Sequence, residues 1–130
     1  MTAIIIGQLI LALSLGAGAH MQRIRPPAAL KCSRDHLTSF QGRILAYKRG
    51  KTSIYLRVRT DEETTESFTL KWQEPDHAEK WFLLRGEPFQ TADWKLIESS
   101  QGKLIAGMRV IVWVCDDGSK PVFDWRPKED

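Results

Sequence analysis

Apolar and polar residues alternate with a period of two through the middle of this chain, and such alternation is typical of β-strands. Three segments show it, namely residues 38–48, 53–60 and 67–72. In the second of them Ile54, Leu56 and Val58 fall on one side, and Arg57 and Arg59 fall on the other. Short polar turns separate the segments. The pattern predicts a three-stranded antiparallel meander with one buried face and one solvent-facing side.

The second half of the chain predicts one short helix and a closing hairpin. Asp76 is a suitable helix N-cap, Glu79 follows three residues later, and Gly86 is a natural stop. The helix is therefore expected between Asp76 and Gly86. Residues 107–115 form the clearest strand, and residues 122–125 form a last short one. Residues 87–101 fit either a strand or a second helical turn.

Three meander strands, a connection that contains a helix and a final hairpin resemble the five-stranded OB-fold barrel. The resemblance rests on residues 42–44, 104–110 and 123–127, and it covers about residues 37–127. It is a pattern of strand spacing without a signature motif, so it implies architecture alone. The expected fold is mainly β, a five-stranded OB-like barrel with one short helix between strands three and four, preceded by an apolar N-terminal helix. A different small barrel, such as an SH3-like one, is the alternative.

The first nineteen residues carry no charged side chain, and a basic segment with Arg23 and Arg25 follows them. Residues 17–19, Ala-Gly-Ala, form a small-x-small pattern typical of signal-peptide cleavage. The same run is roughly long enough to span a bilayer, and the positive-inside rule would then place the rest of the chain in the cytoplasm. We therefore expect residues 1–19 to be a signal peptide or membrane anchor, residues 20–36 a linker, and residues 37–130 the OB-like domain.

Charge is divided unevenly along the chain. Residues 20–60 contain ten Lys or Arg and one acid, a net charge of +9, whereas residues 61–130 contain nine basic and fifteen acidic residues, a net charge of −6. Such a division favours an anionic partner for the first half. Alternatively, the two halves fold against each other and pair their charges.

The chain has two cysteines, Cys32 and Cys115. In an oxidising compartment they could form one disulfide between the linker and a late strand. In a reducing compartment they would remain thiols, with Cys115 buried as a small hydrophobic residue. The choice follows from whether the chain is exported.

The sequence offers little catalytic chemistry. The three histidines are scattered, no Cys/His set has zinc spacing, and no glycine-rich phosphate loop or nucleophile motif is present. The acids at 61–63 and at 116–117 are typical of solvated turns. We therefore expect no enzyme activity, no metal site and no cofactor.

One group of side chains points to binding. If the alternation holds, the solvent-facing side of the meander carries Arg43, Tyr47, Tyr55, Arg57, Arg59 and Lys71. Basic groups for phosphates and aromatic rings for base stacking are what single-stranded nucleic acid needs, and OB folds bind oligonucleotides or oligosaccharides across such a surface. Alternatively, the arginines pair with Glu62, Glu63 and Glu66 and only cover the sheet.

Three functions are consistent with these features. The first is a non-enzymatic binding module of a bacterial-type cell envelope, periplasmic or membrane-anchored, which holds a protein or glycan partner. The second is a single-stranded nucleic-acid-binding OB domain tethered at the cytoplasmic face of the inner membrane through residues 1–19. The third is a small accessory subunit of a membrane complex. The apolar leader favours the first function, and the basic first half favours the second.

Overall fold

The computed structural model describes Pro27 and residues 30–129, and the residues from Lys31 onward form one compact unit. Its strands are β1 (Leu37–Arg49), β2 (Ser53–Thr60), β3 (Thr65–Lys71), β4 (Phe82–Leu84), β5 (Glu87–Pro88), β6 (Glu98–Ser100), β7 (Lys103–Leu104), β8 (Arg109–Cys115) and β9 (Val122–Arg126). One α-helix, α1 (Trp94–Ile97), and the 3-10 turns Arg34–His36, Ala78–Trp81 and Thr91–Asp93 complete this part of the chain. The predicted signal or anchor, residues 1–19, lies outside the described residues, as does the predicted N-terminal helix.

The main sheet has seven strands in the order β3-β2-β1-β8-β9-β4-β5, and β6 and β7 form a separate two-stranded sheet. The predicted meander is confirmed, because β1 pairs with β2 and β2 with β3, both antiparallel. The predicted final hairpin is also confirmed in the antiparallel pair of β8 and β9. The prediction of a mainly β fold therefore holds.

The prediction of a closed five-stranded barrel is wrong, because the main sheet is open and has seven strands. Closure would require β9 to pair with the free edge of β3. The second edge of β9 is instead occupied by β4, which runs parallel to it with Phe82 opposite Phe123 and Leu84 opposite Trp125. The sheet therefore ends at β3 on one side and at β5 on the other.

The prediction of a helix between Asp76 and Gly86 is also wrong. Residues Ala78–Trp81 make only a 3-10 turn, and the chain then extends into β4. Phe82 and Leu83 are both buried, at 3% and 4% exposure, although neighbours in a strand point to opposite faces. A short apolar run buried on both sides is typical of an interior strand. The α-helix that is present, α1, follows a capping box between Gln90 and Asp93.

The hydrophobic core lies on one side of the main sheet. Its fully buried members include Ile54, Leu56 and Val58, the three residues that the alternation in β2 assigns to the core. Buried aromatic rings complete it, and Phe82 packs against Trp125 with 5.3 Å between ring centroids. Because every second residue of β2 points into this core, the residues between them point to the opposite side of the sheet.

A β-bulge interrupts β1 between Ile44 and Ala46. Ile44 is opposite the core residue Val58, yet Ala46 is opposite Arg57 rather than the next core residue. The extra residue is Leu45, which is 43% exposed. A bulge of this kind exchanges the two faces of the strand beyond it.

Cys32 and Cys115 are joined by a disulfide in the structure, with 6.1 Å between their Cα atoms. Cys115 is the last residue of β8 and lies opposite Leu37, the first residue of β1. The bridge therefore holds the segment that precedes β1 against the end of β8. A hydrogen bond from the amide of Asp116 to the carbonyl oxygen of His36 lies beside it.

Candidate functional site

The side of the meander opposite the core, called the outer face below, carries almost all the residues that the sequence analysis placed there. Strand pairing sets Arg43 opposite Arg59 and Lys71 opposite Ser53, and residues opposite each other in a sheet point to the same side. The outer face includes Arg43, Ala46 and Lys48 of β1, Ser53, Tyr55, Arg57 and Arg59 of β2, and Thr65, Ser67, Thr69 and Lys71 of β3. None of these eleven residues is acidic.

Tyr47 does not belong to the outer face, and its predicted position there is wrong. Because the bulge in β1 reverses the alternation, Tyr47 lies opposite the core residue Leu56. Its ring packs edge-on against buried Trp125, with 6.1 Å between centroids. Lys48 takes its place on the outer face, opposite Tyr55. The face therefore keeps its predicted positive charge but has one tyrosine instead of two.

Four arginines form a row across four adjacent strands. Arg59 of β2 is opposite Arg43 of β1, Arg43 is opposite Arg109 of β8, and Arg109 is opposite Arg126 of β9. Neighbouring strands lie about 4.8 Å apart, so the row brings four guanidinium groups to one side of the sheet at close spacing. Like charges directly opposite each other are destabilising. We call this set the arginine row.

Carboxylates neutralise one half of the arginine row and leave the other half free. Arg109 contacts Asp61 at 2.5 Å, and Arg126 contacts fully buried Asp124 at 2.8 Å. Arg59 makes one long hydrogen bond, 3.4 Å, to the hydroxyl of Thr65. Among residues 30–129, no carboxylate lies within ion-pair distance of Arg43 or Arg59.

The remaining basic residues of the outer face are equally free. Within the described part of the chain, no ion pair involves Lys48, Arg57 or Lys71. The sequence alternative, in which these side chains pair with acids at 62, 63 and 66, is therefore not observed. Glu66 is opposite Val58 and so lies on the other side of the meander. Uncompensated positive charge is the chief electrostatic property of the outer face.

The open part of this surface is limited to β1, β2 and β3. Further along the same side of the sheet, Ile111 and Trp113 of β8 are buried at 2% and 4% exposure, and Asp124 of β9 is fully buried. Arg43 and Arg57, by contrast, are exposed. A ligand of the arginine row would therefore reach it from the Arg43–Arg59 end, where no carboxylate of residues 30–129 forms an ion pair.

A buried carboxylate fixes the far end of β1. Glu98, 7% exposed, accepts hydrogen bonds from the Tyr47 hydroxyl at 2.5 Å and from Arg49 at 2.6 Å. The Arg49 guanidinium also lies 4.1 Å from the centroid of the Trp94 ring, and the Trp94 indole donates to Glu79 at 2.7 Å. The network joins β1 to α1 and β6 and thereby orients the strand that supplies Arg43 and Lys48.

Burial raises the pKa of Tyr47 well above its ordinary value of about 10, and the hydrogen bond to Glu98 and the charge of Glu98 add to the effect. The stability that neutral Tyr47 contributes is therefore complete below about pH 10. It falls as the pH rises further, because only the unfolded chain then releases this proton. We therefore expect the free energy of unfolding of Tyr47→Phe to fall less than that of the unaltered protein when the pH is raised from about 9 to about 11. Urea unfolding of both proteins across that range measures it, and parallel curves would contradict the burial of this hydroxyl.

The described part of the chain has neither a group of three His, Cys, Asp or Glu side chains placed to hold a metal ion nor a helix long and apolar enough to cross a bilayer. Comparison with protein-family models, curated proteins and solved structures finds no match to this chain. The geometry and charge of the outer face are therefore the features that bear on function.

Two members of the basic surface, Arg109 and Arg126, were not predicted from the sequence. Arg109 lies in the strand predicted over residues 107–115, and Arg126 directly follows the strand predicted over residues 122–125. Their alignment with Arg43 depends on the register of β1 with β8 and of β8 with β9. Alternation within one strand carries no information about register between strands. The sequence does show an arginine near the end of each of these two strands. Only the pairing of the strands shows that both arginines align with Arg43.

Proposed function

We propose that this protein is a non-enzymatic binding module of the cell envelope that holds an anionic glycan on its outer face. The arginine row carries the proposal, because Arg43 and Arg59 lie directly opposite each other and, in the described part of the chain, neither has a carboxylate within ion-pair distance. A bound anion would remove the repulsion that this arrangement imposes on the sheet. The compartment belongs to the same proposal, with residues 1–19 directing export or anchoring the chain.

Arginine suits this role for a geometric reason. Its planar guanidinium offers several N–H donors in a fixed fork and binds carboxylate, sulfate or phosphate oxygens through two parallel hydrogen bonds. Guanidinium groups repeated at the spacing of neighbouring strands suit a polysaccharide that carries an acidic group on each successive sugar unit. The hydroxyls of Thr65, Ser67 and Thr69 along β3 supply neutral hydrogen bonds beside the basic groups.

Two observations favour a glycan over single-stranded nucleic acid. Base stacking needs exposed aromatic rings, and the outer face has lost Tyr47 to the core. Its remaining tyrosine, Tyr55, is half-buried and bonds Ser67 at 3.1 Å. In addition, the disulfide between Cys32 and Cys115 is typical of an oxidising compartment, where nucleic acid is seldom a partner.

The proposal predicts that neutralising two arginines weakens glycan binding. The double variant Arg43→Gln with Arg59→Gln is expected to bind a short oligogalacturonate roughly tenfold more weakly at low salt. That figure assumes about 0.7 kcal/mol for each solvent-screened contact. Isothermal titration calorimetry of the full-length chain, repeated at increasing salt, measures the loss. Binding by the unaltered protein should itself fall as salt rises.

A matched control separates this effect from net charge. Lys95→Gln with Lys103→Gln also removes two positive charges, from exposed positions on α1 and β7 outside the outer face. This control is expected to keep nearly the full affinity. Equal losses in both double variants, or no loss in either, would contradict a specific role for the outer face. Tighter binding of an oligothymidylate than of oligogalacturonate would favour the nucleic-acid alternative.

A further inference from the structure

A cleft of about 600 Å³ opens at one end of the outer face. Its lining includes Ser53 and Lys71, which also belong to the outer face, together with Gln73, Asp76, Trp81 and Lys120. It therefore combines the start of β2, the end of β3, the turn that precedes β4 and the loop between β8 and β9. A volume of this size is within the range of sites that hold one small molecule.

Positive charge converges on one aromatic ring in this cleft. The ammonium groups of Lys80 and Lys120 lie 5.3 Å and 5.6 Å from the centroid of the Trp81 ring, which is half-buried. Lys80 has a partner in Asp76 at 3.5 Å. Among the described residues, no carboxylate lies within ion-pair distance of Lys120 or Lys71. Two ammonium groups on one ring, with one of them unneutralised, form a local site for an anion.

The neutral groups of the cleft indicate what the anion is attached to. The Gln73 amide and the Ser53 hydroxyl both donate and accept hydrogen bonds, and the Asp76 carboxylate only accepts them. An acceptor beside cations suits a ligand that carries hydroxyl groups as well as one negative charge. The half-buried Trp81 indole supplies an apolar part of the cleft wall.

We infer that the Trp81 cleft binds a sugar ring bearing a single acidic group, with the acid at Lys71 and Lys120 and the hydroxyls at Gln73 and Asp76. This inference rests on the proposed function, since Lys71 and Ser53 join the cleft to the outer face. To the proposed function it adds the class of sugar that binds and a position for one sugar unit. That unit would be, for example, the end of a glycan chain that continues along the arginine row. A carboxylate, sulfate or phosphate on the ring would satisfy the same lysines.

Monosaccharides are the size of ligand that the cleft would hold, and the variants below distinguish the cleft from the arginine row. Saturation-transfer NMR on the full-length chain is run with galacturonate, galactose 6-phosphate and neutral galactose. The two acidic sugars are expected to bind about tenfold more tightly than galactose, because only they meet the lysines. Equal binding of acidic and neutral sugars, or the absence of binding by all three, would overturn the inference.

Variants assign the binding to the cleft. Lys120→Gln, an exposed position, is expected to lower acidic-sugar affinity about fivefold and to leave galactose binding unchanged. Gln73→Ala should weaken all three sugars alike. Lys95→Gln, on α1, is the matched control and should have no effect. An unchanged affinity in Lys120→Gln would place the acidic sugar elsewhere and sink the inference.

The outcome separates this inference from the proposed function. If oligogalacturonate binding depends on Arg43 and Arg59 but no monosaccharide binds, the outer face holds the polymer and the cleft inference fails. If acidic monosaccharides bind through Lys120 but the arginine double variant keeps full polymer affinity, the cleft inference holds and the role of the outer face fails.

Discussion

Removal of the Cys32–Cys115 disulfide is expected to lower the free energy of unfolding by about 4.5 kcal/mol. The two cysteines are 83 residues apart in sequence, so their bridge closes a loop that contains nearly the whole domain. A cross-link lowers the conformational entropy of the unfolded chain more strongly when the loop is longer. The chain therefore loses less entropy when it folds. Urea unfolding with and without reductant measures the difference as a shift in midpoint.

The double variant Cys32→Ser with Cys115→Ser should reproduce the effect of reductant and should not respond to it. A control is needed for the neighbouring side-chain contact, in which the His36 ring nitrogen lies 3.0 Å from the Asp116 carboxylate. Because both side chains are exposed, His36→Ala is expected to change stability by less than about 1 kcal/mol. An unfolding midpoint unaffected by reductant would show that the bridge contributes nothing.

A large loss of stability on reduction would also bear on the compartment. A domain of about 100 residues has a total stability of roughly 5–15 kcal/mol. A loss of about 4.5 kcal/mol would therefore leave the reduced protein marginal in a reducing cytoplasm. That outcome would support export of the chain, whereas a stable reduced domain would be equally suited to either side of the membrane.

Gly42→Ala is expected to destabilise the domain by about 3 kcal/mol or more. A methyl group at this position would lie 2.0 Å from the carbonyl oxygen of Arg59 and 2.7 Å from the Cα of Thr60. Both atoms belong to the backbone of β2, so no side-chain rotation relieves the contact, and the paired strands must separate. Thermal unfolding should show a fall of roughly 12 °C or more in the melting temperature.

Gly50→Ala is the matched control for this substitution. Gly50 lies in the turn between β1 and β2, and its nearest neighbour there would be the Ser53 hydroxyl at 3.1 Å, a side-chain atom able to move. The control should therefore change the melting temperature by only a few degrees. Equal effects of the two substitutions would contradict the close approach of β1 and β2 at Gly42.

The strands of the meander were predictable because a strong local pattern coincides with one-sided burial. In β2 every predicted core residue is fully buried, and its bounds, Ser53–Thr60, agree with the alternation. Binary alternation predicts a strand well when one face packs on a core and the other meets solvent. Four of the five predicted basic or aromatic positions on β1 and β2 follow directly from it.

The exception is Tyr47, and its cause is a single extra residue. Residues 44–47 are a run of four apolar or aromatic residues, Ile-Leu-Ala-Tyr, so alternation does not assign them to a face and cannot locate the bulge. It becomes visible only when β1 is aligned with β2. The pairing of Tyr47 with Glu98, 51 residues away, was likewise beyond any local rule.

The predictions of a closed barrel and of a helix between Asp76 and Gly86 are wrong for the same reason, namely that residues 82–84 form the strand β4. The segment from Asp76 to Gly86 has helix-like end signals, but its central Phe82 and Leu83 are both buried by contacts distant in sequence. Tertiary burial overrides weak local propensity in such short segments. Because residues 82–84 then pair with β9, they occupy the edge that a closed barrel would have needed.

The most direct test of the central claim is to map the amide resonances of the full-length chain by heteronuclear NMR during titration with oligogalacturonate. Binding on the outer face should produce the largest shift changes in β1, β2 and β3, at Arg43, Arg57 and Arg59, extending toward Lys71. Little change is expected around Lys95 and Lys103, which are basic but lie outside the outer face. Shift changes spread evenly over all basic residues, or centred away from the arginine row, would contradict the claim.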